Sequence, residues 1–292
     1  MDLEHKSIER LKYAAEISAQ YYNAPLIVTY SGGKDSEVLL KLARIAGIDF
    51  EVQHNHTTAD APETVRHVRE TFRRLELEGI PCTINYPYYK GERVSMWTLI
   101  PQKLMPPTRL VRYCCDVLKE RGGKNRCIVT GVRWAESAKR AKQRYFIDPG
   151  KKDDEGNWTG FADNEESRRE FETCPIKGKT TINPVIDWTD ADIWGFARSE
   201  NLCMNPLYAC GHSRVGCIGC PMAGDHRYEE FRQFPPYENL YRRAFARMLE
   251  ARKAAGKPTT WKSADDVFLW YMEDKNVVGQ LSFAELGGFS DG

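Results

Sequence analysis

One short run near the N-terminus combines side chains and glycines that suit phosphate binding. Its two glycines let the backbone turn sharply and bring N–H groups close to an anion. Lys34 adds a positive charge, and two serine hydroxyls can donate hydrogen bonds to phosphate oxygens. Asp35 suits holding Mg²⁺ or orienting the loop. The sequence therefore predicts a nucleotide site, with Lys34 and Asp35 as its catalytic residues, in the run Ser31, Gly32, Gly33, Lys34, Asp35 and Ser36.

The spacing of this run differs from two better-known phosphate loops. It matches neither the GxxxxGKS/T pattern nor the GxGxxG pattern. It follows a short apolar run at residues 25–30 and precedes a helical pattern that includes Val38 and Leu42. A helix N-terminus adds free N–H donors and the positive end of the helix dipole. The alternative is a Gly-Gly turn that only caps a helix, but the strand-to-helix context favours phosphate binding.

Cysteine spacing provides a second group of chemically active side chains. Cys114 and Cys115 are adjacent, and soft thiolates of this kind select zinc or iron–sulfur clusters. Spacing alone does not separate these two, and a four-cysteine zinc site is the more common structural alternative. Further downstream, the spacing C-x6-C-x6-C-x2-C is formed by Cys203, Cys210, Cys217 and Cys220.

Composition limits the class of protein and the state of these thiols. The chain has 292 residues and a net charge of +1, so nothing in the overall charge indicates a polyanion partner. No apolar run approaches the ~20 residues that span a bilayer, and the charged N-terminus lacks the apolar core of a signal peptide. We therefore expect a cytoplasmic protein with no membrane association. Its nine cysteines then need an explanation other than disulfides, because the cytoplasm keeps thiols reduced.

Short apolar runs alternate with helical patterns over most of the chain. This alternation predicts an α/β fold with a doubly wound, mostly parallel sheet. The polar, glycine-rich segment 148–183 is expected to be an irregular insertion, with a hairpin as the alternative. Thr189 and Asp192 form a capping-box signature for a helix that reaches about residue 201. The predicted strands cover residues 25–30, 49–54, 82–86 and 127–131.

Two domains are predicted from these patterns. Residues 1–224 form the α/β domain, which includes the cysteines, and residues 225–292 form a helical C-terminal extension. One side of that extension is basic, for example at Arg242 and Arg252. Such a face is usually solvated, and a nucleic-acid contact is the alternative.

From the phosphate loop to about Pro221, the chain resembles the phosphoadenosine phosphosulfate (PAPS) reductase family of the PP-loop ATPase superfamily. The resemblance implies an adenine nucleotide alpha hydrolase-like fold that binds ATP with Mg²⁺ and cleaves ATP between the α and β phosphates. The matching stretches are residues 31–36, 112–119, 131–133 with Glu136, Ser137 and Arg140, 183–188, and 205–208, leading into Cys217 and Cys220.

The resemblance also favours a 4Fe–4S cluster over zinc. In adenylylsulfate reductases a cysteine pair and a later C-x2-C hold such a cluster, and this chain has both. Cys210 is one cysteine more than that pattern needs. We expect Cys210, Cys217 and Cys220 as ligands, with one of Cys114 and Cys115. If only three bind, one iron stays open and could carry a sulfide.

Three further residues are candidates for nucleotide binding. Gly131 and Arg133 follow a predicted strand, at the sheet edge where doubly wound folds bind ligands. Arg133 and Arg140 could clamp a phosphate or sulfate group. The alternative is a pair of surface arginines.

Three functions are compatible with these features. The first is an ATP-dependent sulfurtransferase that adenylates an acceptor, the second a sulfonucleotide reductase, and the third a nucleotide-binding cluster protein without turnover. We expect the transferase, because the loop is intact and no cysteine follows Cys220, whereas the reductases carry a nucleophile in a C-terminal Glu-Cys-Gly motif. Candidate partners are ATP or a related adenine nucleotide, a tRNA or DNA acceptor and a sulfur donor protein. The oligomeric state is not indicated.

Overall fold

The computed structural model describes residues 2–136, 146–148, 160–165 and 178–273. The chain divides into two compact units. Unit 1 comprises Met1–Asn55, Pro62–Asn85 and Arg121–Gly216, and unit 2 comprises His56–Ala61, Tyr86–Glu120 and Cys217–Gly292.

The strands and helices of the described residues are as follows. Strands are β1 (Leu26–Thr29), β2 (Phe50–Asn55), β3 (Cys82–Asn85), β4 (Tyr88–Tyr89), β5 (Glu92–Arg93), β6 (Cys127–Val129), β7 (Ile147–Asp148) and β8 (Thr180–Ile182). Helices are α1 (Leu3–Tyr22), α2 (Lys34–Ala46), α3 (Pro62–Leu77), α4 (Met96–Lys103), α5 (Tyr113–Cys115), α6 (Asp190–Ser199), α7 (Pro206–Ala209), α8 (His226–Gln233), α9 (Pro235–Ala254) and α10 (Ala264–Glu273).

Unit 1 is built on a sheet with strand order β3-β2-β1-β6-β8-β7. All neighbours are parallel except β7, which runs antiparallel to β8. Leu26, Ile27 and Val28 of the central strand β1 are fully buried, as expected for a parallel strand covered on both faces. The predicted doubly wound, mostly parallel α/β fold with C-terminal helices is confirmed.

The described ends of the predicted insertion at 148–183 lie in two antiparallel strands, as the hairpin alternative expects, and residues 149–159 and 166–177 lie outside the described residues. These ends supply the strands β7 and β8, with Ile147 paired to Ile182. The Thr180–Ile182 run is only three residues long and lies in a polar, glycine-rich stretch, so its pattern was too short to identify. Pairing with β6 makes it a strand. The predicted capping box of α6 is confirmed, because Thr189 and Asp192 bond each other's backbone N–H groups.

Unit 2 packs helices around an aromatic core. Tyr241 and Phe245 of α9 are fully buried and contact Phe268 and Tyr271 of α10. The apolar side of this helix is therefore its buried face. Unit 2 combines the chain beyond residue 224 with earlier segments, and the division into domains at that residue stays a prediction.

No helix in the described part of the chain has both the length and the apolar character that crossing a bilayer requires.

A buried ion pair ties α1 to the segment before α6 in unit 1. The Arg10 guanidinium is bonded to Asp187 at 2.7 and 3.1 Å and to the Pro184 carbonyl at 2.8 Å. Burial raises the pKa of Asp187, but hydrogen bonds from Arg10 and Lys6 outweigh it, so the pKa lies below its usual value. We expect Asp187→Asn to lower the free energy of unfolding by about 2 kcal/mol at neutral pH, measured by denaturant titration.

This deficit should depend on pH in one direction. A depressed folded-state pKa contributes stability above the unfolded-state value of about 4, and the contribution is lost as pH falls through the folded-state pKa. The difference between wild type and Asp187→Asn should therefore shrink below about pH 4. Glu16→Gln, at an exposed carboxylate of α1, is the control and should change little. An equal deficit at all pH values would contradict the ionic explanation.

Candidate functional site

The predicted phosphate loop lies between the end of β1 and the start of α2. Gly32 adopts a left-handed conformation with φ of +76°. A Cβ atom on this residue would lie 3.0 Å from Val68 Cγ2 and 3.3 Å from Thr64 Cγ2, both on α3. The loop therefore needs glycine here for its turn and for its close packing against α3.

Short hydrogen bonds within the loop fix the two serines. The Ser36 hydroxyl donates to the Gly33 carbonyl at 2.8 Å. It also accepts from the Ser31 N–H at 3.2 Å, and the two serine Oγ atoms lie 3.2 Å apart. Both hydroxyls are thus held at the N-terminus of α2, where backbone N–H groups and the helix dipole favour an anion.

Two residues around α7 support this loop from outside. The Asn205 side-chain amide donates to the Gly32 carbonyl at 3.0 Å, and the Tyr208 hydroxyl accepts from the Lys34 N–H at 2.9 Å. Burial raises the pKa of Tyr208 to about 12, against the opposing effect of the Lys34 N–H. The hydroxyl therefore keeps its own proton at neutral pH, and this proton can be donated to a bound anion. Asn205 and Tyr208 belong to a stretch that carries the family resemblance, but the sequence alone indicates no function for them.

A network of four charges surrounds the first turn of α2. Arg133 bonds Asp35 through Nε at 2.7 Å and Asp190 through a terminal nitrogen at 2.7 Å. The Lys34 ammonium lies 3.3 Å from Asp35 and 3.4 Å from Asp190. A Cβ atom on Gly131 would come within 3.0 Å of Asp35. Both carboxyl oxygens of Asp35 are thus occupied, and the acid is fixed in orientation.

The environment of Arg133 contradicts the surface alternative. Its side chain is only 1% exposed, so it is not a surface arginine. Its remaining terminal nitrogen donates to the Trp188 carbonyl at 3.2 Å, so the guanidinium holds loop and helix residues rather than an open anion site. Direct contact of Arg133 with a nucleotide stays a prediction. Arg140 lies outside the described residues.

Four of the predicted metal-binding cysteines belong to unit 2. Cys114 and Cys217 are buried, and the other two are half-buried. Cys114 interacts electrostatically with all three partners, which shows that the thiols lie near one another. The group consists of Cys114, Cys115, Cys217 and Cys220.

The C-x2-C turn is clamped by the C-terminal helices. Gly219 has φ of +70°, and a Cβ atom there would lie 2.9 Å from the Tyr241 ring and closer still to Phe231. The Tyr241 hydroxyl donates to the Ile218 carbonyl at 3.0 Å, and the Tyr271 hydroxyl donates to the Gly219 carbonyl. The helices beyond residue 224 therefore position the cysteines, which the sequence patterns did not reveal.

Two cations accompany the thiols. Cys115 has a lowered pKa because the Cys114 thiol donates to it, with help from Lys119 and Arg112 against burial. The Arg112 guanidinium lies 3.1 Å from the Cys115 sulfur. The pKa of Lys119 is raised, chiefly by Cys217. Burial raises the pKa of Cys217 to about 11. Arg112 and Lys119, on either side of the cysteine pair, thus bring positive charge to several thiols.

The spacing of the sulfurs bears on which metal centre they fit. A tetrahedral zinc site with Zn–S bonds of ~2.3 Å places its sulfurs about 3.8 Å apart. Among the described residues, no three cysteine sulfurs lie within 4.8 Å of one another. Each thiolate of a 4Fe–4S cluster binds a different iron, so the ligands are further apart. The soft thiolates of this group could hold either kind of centre.

The remaining cysteines lie in unit 1. Cys210 and Cys203 are exposed, and the predicted role of Cys210 as a ligand stays a prediction. Burial raises the pKa of Cys82 and of Cys127 to about 12. This is usual for cysteines that pack as ordinary side chains and do not bind a metal. Cys174 lies outside the described residues.

Comparison with known proteins supports the resemblance on sequence grounds. A family model for the phosphoadenosine phosphosulfate reductase domain matches residues 25–223. An uncharacterised protein of Methanocaldococcus jannaschii is 26% identical over 80% of this chain and 50% of its own length. Sulfate adenylyltransferase subunit 2 of Allorhizobium ampelinum is 29% identical over 70% of this chain and 63% of its own length. The chain thus spans less than two thirds of the length of these relatives.

Solved structures give more distant likenesses. A phosphoadenylyl-sulfate reductase from Candida auris superposes with a TM-score of 0.46 and 16% identity, covering 73% of this chain and 88% of that one. The U34-tRNA thiolase NcsA from Methanococcus maripaludis, solved with its 4Fe–4S cluster, gives 0.42 and 11%, covering 98% and 88%. Both superpositions are too distant to support an argument about function. The family assignment therefore depends on the match of residues 25–223 to the family model.

The packing of Gly219 generates a test of the C-x2-C turn. Gly219→Ala forces a left-handed alanine against two aromatic rings, which we expect to cost about 2–4 kcal/mol of stability and to lower the metal content. Melting temperature and bound iron per chain measure both effects. Gly216→Ala is the matched control, since its added Cβ would meet only the end of the Arg214 side chain, at 3.3 Å. Equal behaviour of the two variants would contradict the clamped geometry.

Proposed function

The chain belongs to the phosphoadenosine phosphosulfate reductase domain family, and we propose that it cleaves ATP between the α and β phosphates to adenylate an acceptor that then receives sulfur. The observation that carries this proposal is the complete phosphate loop, with both serines and Lys34 fixed at the start of α2. An anion bound there would gain loop N–H donors, two hydroxyls and one ammonium charge.

The loop residues suit the departure of pyrophosphate. An acceptor oxygen attacks the α-phosphorus, and the bond to the bridging oxygen breaks, so that pyrophosphate leaves with the electron pair. Lys34 lies where it can offset the negative charge that develops on this leaving group. Asp35 is oriented by Arg133 and could also hold Mg²⁺ with the nucleotide. Sulfide-level sulfur then forms a bond to the activated atom, and AMP leaves with the acceptor oxygen.

The thiols of unit 2 provide a binding set for a 4Fe–4S cluster. We assign Cys114, Cys115, Cys217 and Cys220 as the candidate ligands, with Cys210 as a candidate replacement for one of the adjacent pair. Where only three of these thiolates bind such a cluster, its fourth iron would be a soft position that could hold sulfide. Lys119 offsets the negative charge of the thiolates.

Three alternatives share the same loop. The family's description favours a sulfonucleotide reductase, in which a thiolate attacks the sulfur of PAPS or adenylylsulfate. The relatives named sulfate adenylyltransferase subunit 2 point to sulfate as an acceptor for the same α–β cleavage. A nucleotide-binding protein without turnover would bind ATP and release no product.

Product analysis tests the proposal directly. Protein purified without oxygen is given ATP with tRNA, DNA or sulfate in separate reactions, and AMP and pyrophosphate are measured. We expect both products with a nucleic-acid acceptor, and a loss of at least about a hundredfold in rate for Lys34→Ala. The matched control is Lys41→Ala on the same helix, whose ammonium pairs with Glu200 at 3.0 Å.

Other products would reject the assignment. ADP and phosphate would contradict α–β cleavage, and no turnover would favour the non-catalytic alternative. AMP and pyrophosphate formed only with sulfate would identify sulfate as the acceptor and reject sulfur transfer to a nucleic acid. Sulfite released from PAPS, without ATP cleavage, would establish the reductase.

The ligand set has a separate test. Cys115→Ser and Cys217→Ser should each remove most of the iron and acid-labile sulfide and the visible absorption of the protein. Cys82→Ser, at a half-buried thiol of unit 1, is the control and should retain all three. Cys210→Ser then reports whether this thiol replaces one of the adjacent pair. Zinc in place of iron in the wild type would overturn the cluster assignment.

A further inference from the structure

The hairpin β4–β5 of unit 2 presents tyrosines to solvent. Tyr88 is 56% exposed and Tyr86 is 39% exposed, which is high for large aromatic side chains. The hairpin turn consists of Lys90 and Gly91, both at positive φ, 53° and 84°. This tight turn holds the aromatic strand in a defined position rather than in a loose loop.

Cations interleave with these rings. The Arg93 guanidinium lies 3.7 Å from the centroid of Tyr86, and the Lys103 ammonium lies 4.3 Å from that of Tyr89. The Lys90 ammonium lies 5.7 Å from the Tyr89 centroid. We call the exposed face of this hairpin the tyrosine platform and define it as Tyr86, Tyr88, Lys90 and Arg93. Successive residues of a strand point to opposite faces, so Tyr89, with Lys103 over its ring, lies on the other face of β4.

The platform adjoins the candidate cluster ligands within unit 2. Lys103 also lies 5.8 Å from the ring of Tyr113, the residue that precedes Cys114. Strand β4 packs against the π-helical turn Asp116–Glu120, which carries Lys119. The hairpin thus packs against the segment that carries Cys114, Cys115 and Lys119.

The basic helix that the sequence suggested as a nucleic-acid contact is occupied by internal contacts. Arg242 pairs with Glu238 at 2.7 Å and with Asp265. Arg252 is buried and donates to the Leu104 carbonyl at 2.7 Å, and Arg247 donates to the Trp97 carbonyl at 3.0 Å. These arginines serve the packing of unit 2. The platform differs because Arg93 lies over Tyr86, a ring that remains exposed to solvent.

We propose that the tyrosine platform binds unpaired nucleotides of an RNA, which is the acceptor in the function proposed above. Aromatic rings interleaved with Lys and Arg are the means by which proteins hold single-stranded nucleic acid, since bases stack on the rings and the cations meet phosphates. Cation–π contacts also stabilise the hairpin, but that role alone would not require its rings to be exposed.

RNA fits this surface better than DNA. RNA loops present bases that are already unstacked. A base in duplex DNA must first be extruded at a cost of a few kcal/mol. The platform consists of exposed side chains on a two-stranded hairpin, which suits stacking of bases that are already unpaired. The inference rests on the proposed function for the role of the RNA as acceptor, whereas its binding claim stands on the platform alone.

The test is direct RNA binding by the full-length protein. A fluorescent hairpin RNA with a single-stranded loop is titrated, and anisotropy is measured at several salt concentrations. We expect Tyr88→Ala to weaken binding about fivefold or more, the loss of one stacked base, while Tyr88→Phe retains binding. Lys90→Ala should lower the slope of log K against log salt by about 0.7, the loss of one phosphate contact.

Two matched variants control for the loss of any exposed tyrosine or lysine. Tyr228→Ala removes a comparably exposed tyrosine from α8 of the same unit, and Lys262→Ala removes an exposed lysine. Both should bind as the wild type does. Equal weakening by Tyr228→Ala, no binding by the wild type, or equal affinity for a blunt duplex of the stem would overturn the proposal. Equal affinity for single-stranded DNA of the loop sequence would overturn the choice of RNA.

The outcome is separable from that of the ATP experiment. Binding is measured without ATP, so RNA bound by a protein that releases no AMP would leave the platform in place and reject the adenylation. AMP and pyrophosphate formed by a protein that binds no RNA would do the reverse.

Discussion

The buried guanidinium of Arg133 is the constraint on which the nucleotide half of this protein depends. A charge that is almost fully removed from water must be paired, and breaking such a pair leaves an uncompensated buried ion. Arg133 meets this requirement with Asp35 on α2, Asp190 on α6 and the Trp188 carbonyl. The loop after β6, the first turn of α2 and the start of α6 are thereby held together. Lys34 contacts the same two carboxylates, and these contacts orient its ammonium group.

Each compact unit contains a complete set of groups for one kind of chemistry. Unit 1 holds the phosphate loop and its supports, Asn205 and Tyr208. Unit 2 holds four thiols, two cations and an exposed aromatic surface. Cysteines separated by about a hundred residues belong to one unit because the C-terminal helices clamp the C-x2-C turn through Tyr241 and Tyr271. Apolar packing and two hydroxyl-to-carbonyl bonds thus bring together ligands that the chain order keeps apart.

Sequence patterns predicted the structure best where one short segment contains all the residues of a motif. The strand-to-helix phosphate loop and the capping box at Thr189 are of this kind, since every group involved lies within a few residues. The short strand β8 was missed, because three residues in a polar stretch have no period of their own and depend on pairing with β6. The surface arginine alternative for Arg133 failed for a similar reason. Burial of a charge is decided by distant carboxylates, which no local pattern records.

The sequence by itself determined the fold class, the phosphate loop and the list of cysteines able to bind a soft metal, because each depends on residue type and short-range spacing. Only the tertiary structure decided how those residues are used. It showed that Arg133 orients the loop's aspartate and that four thiols share a unit with Lys119. It also showed that the arginines of α9 serve packing while tyrosines of β4 and its flank stay exposed. These outcomes depend on which side chains remain in water and which charges meet across long sequence separations, and both are settled by folding.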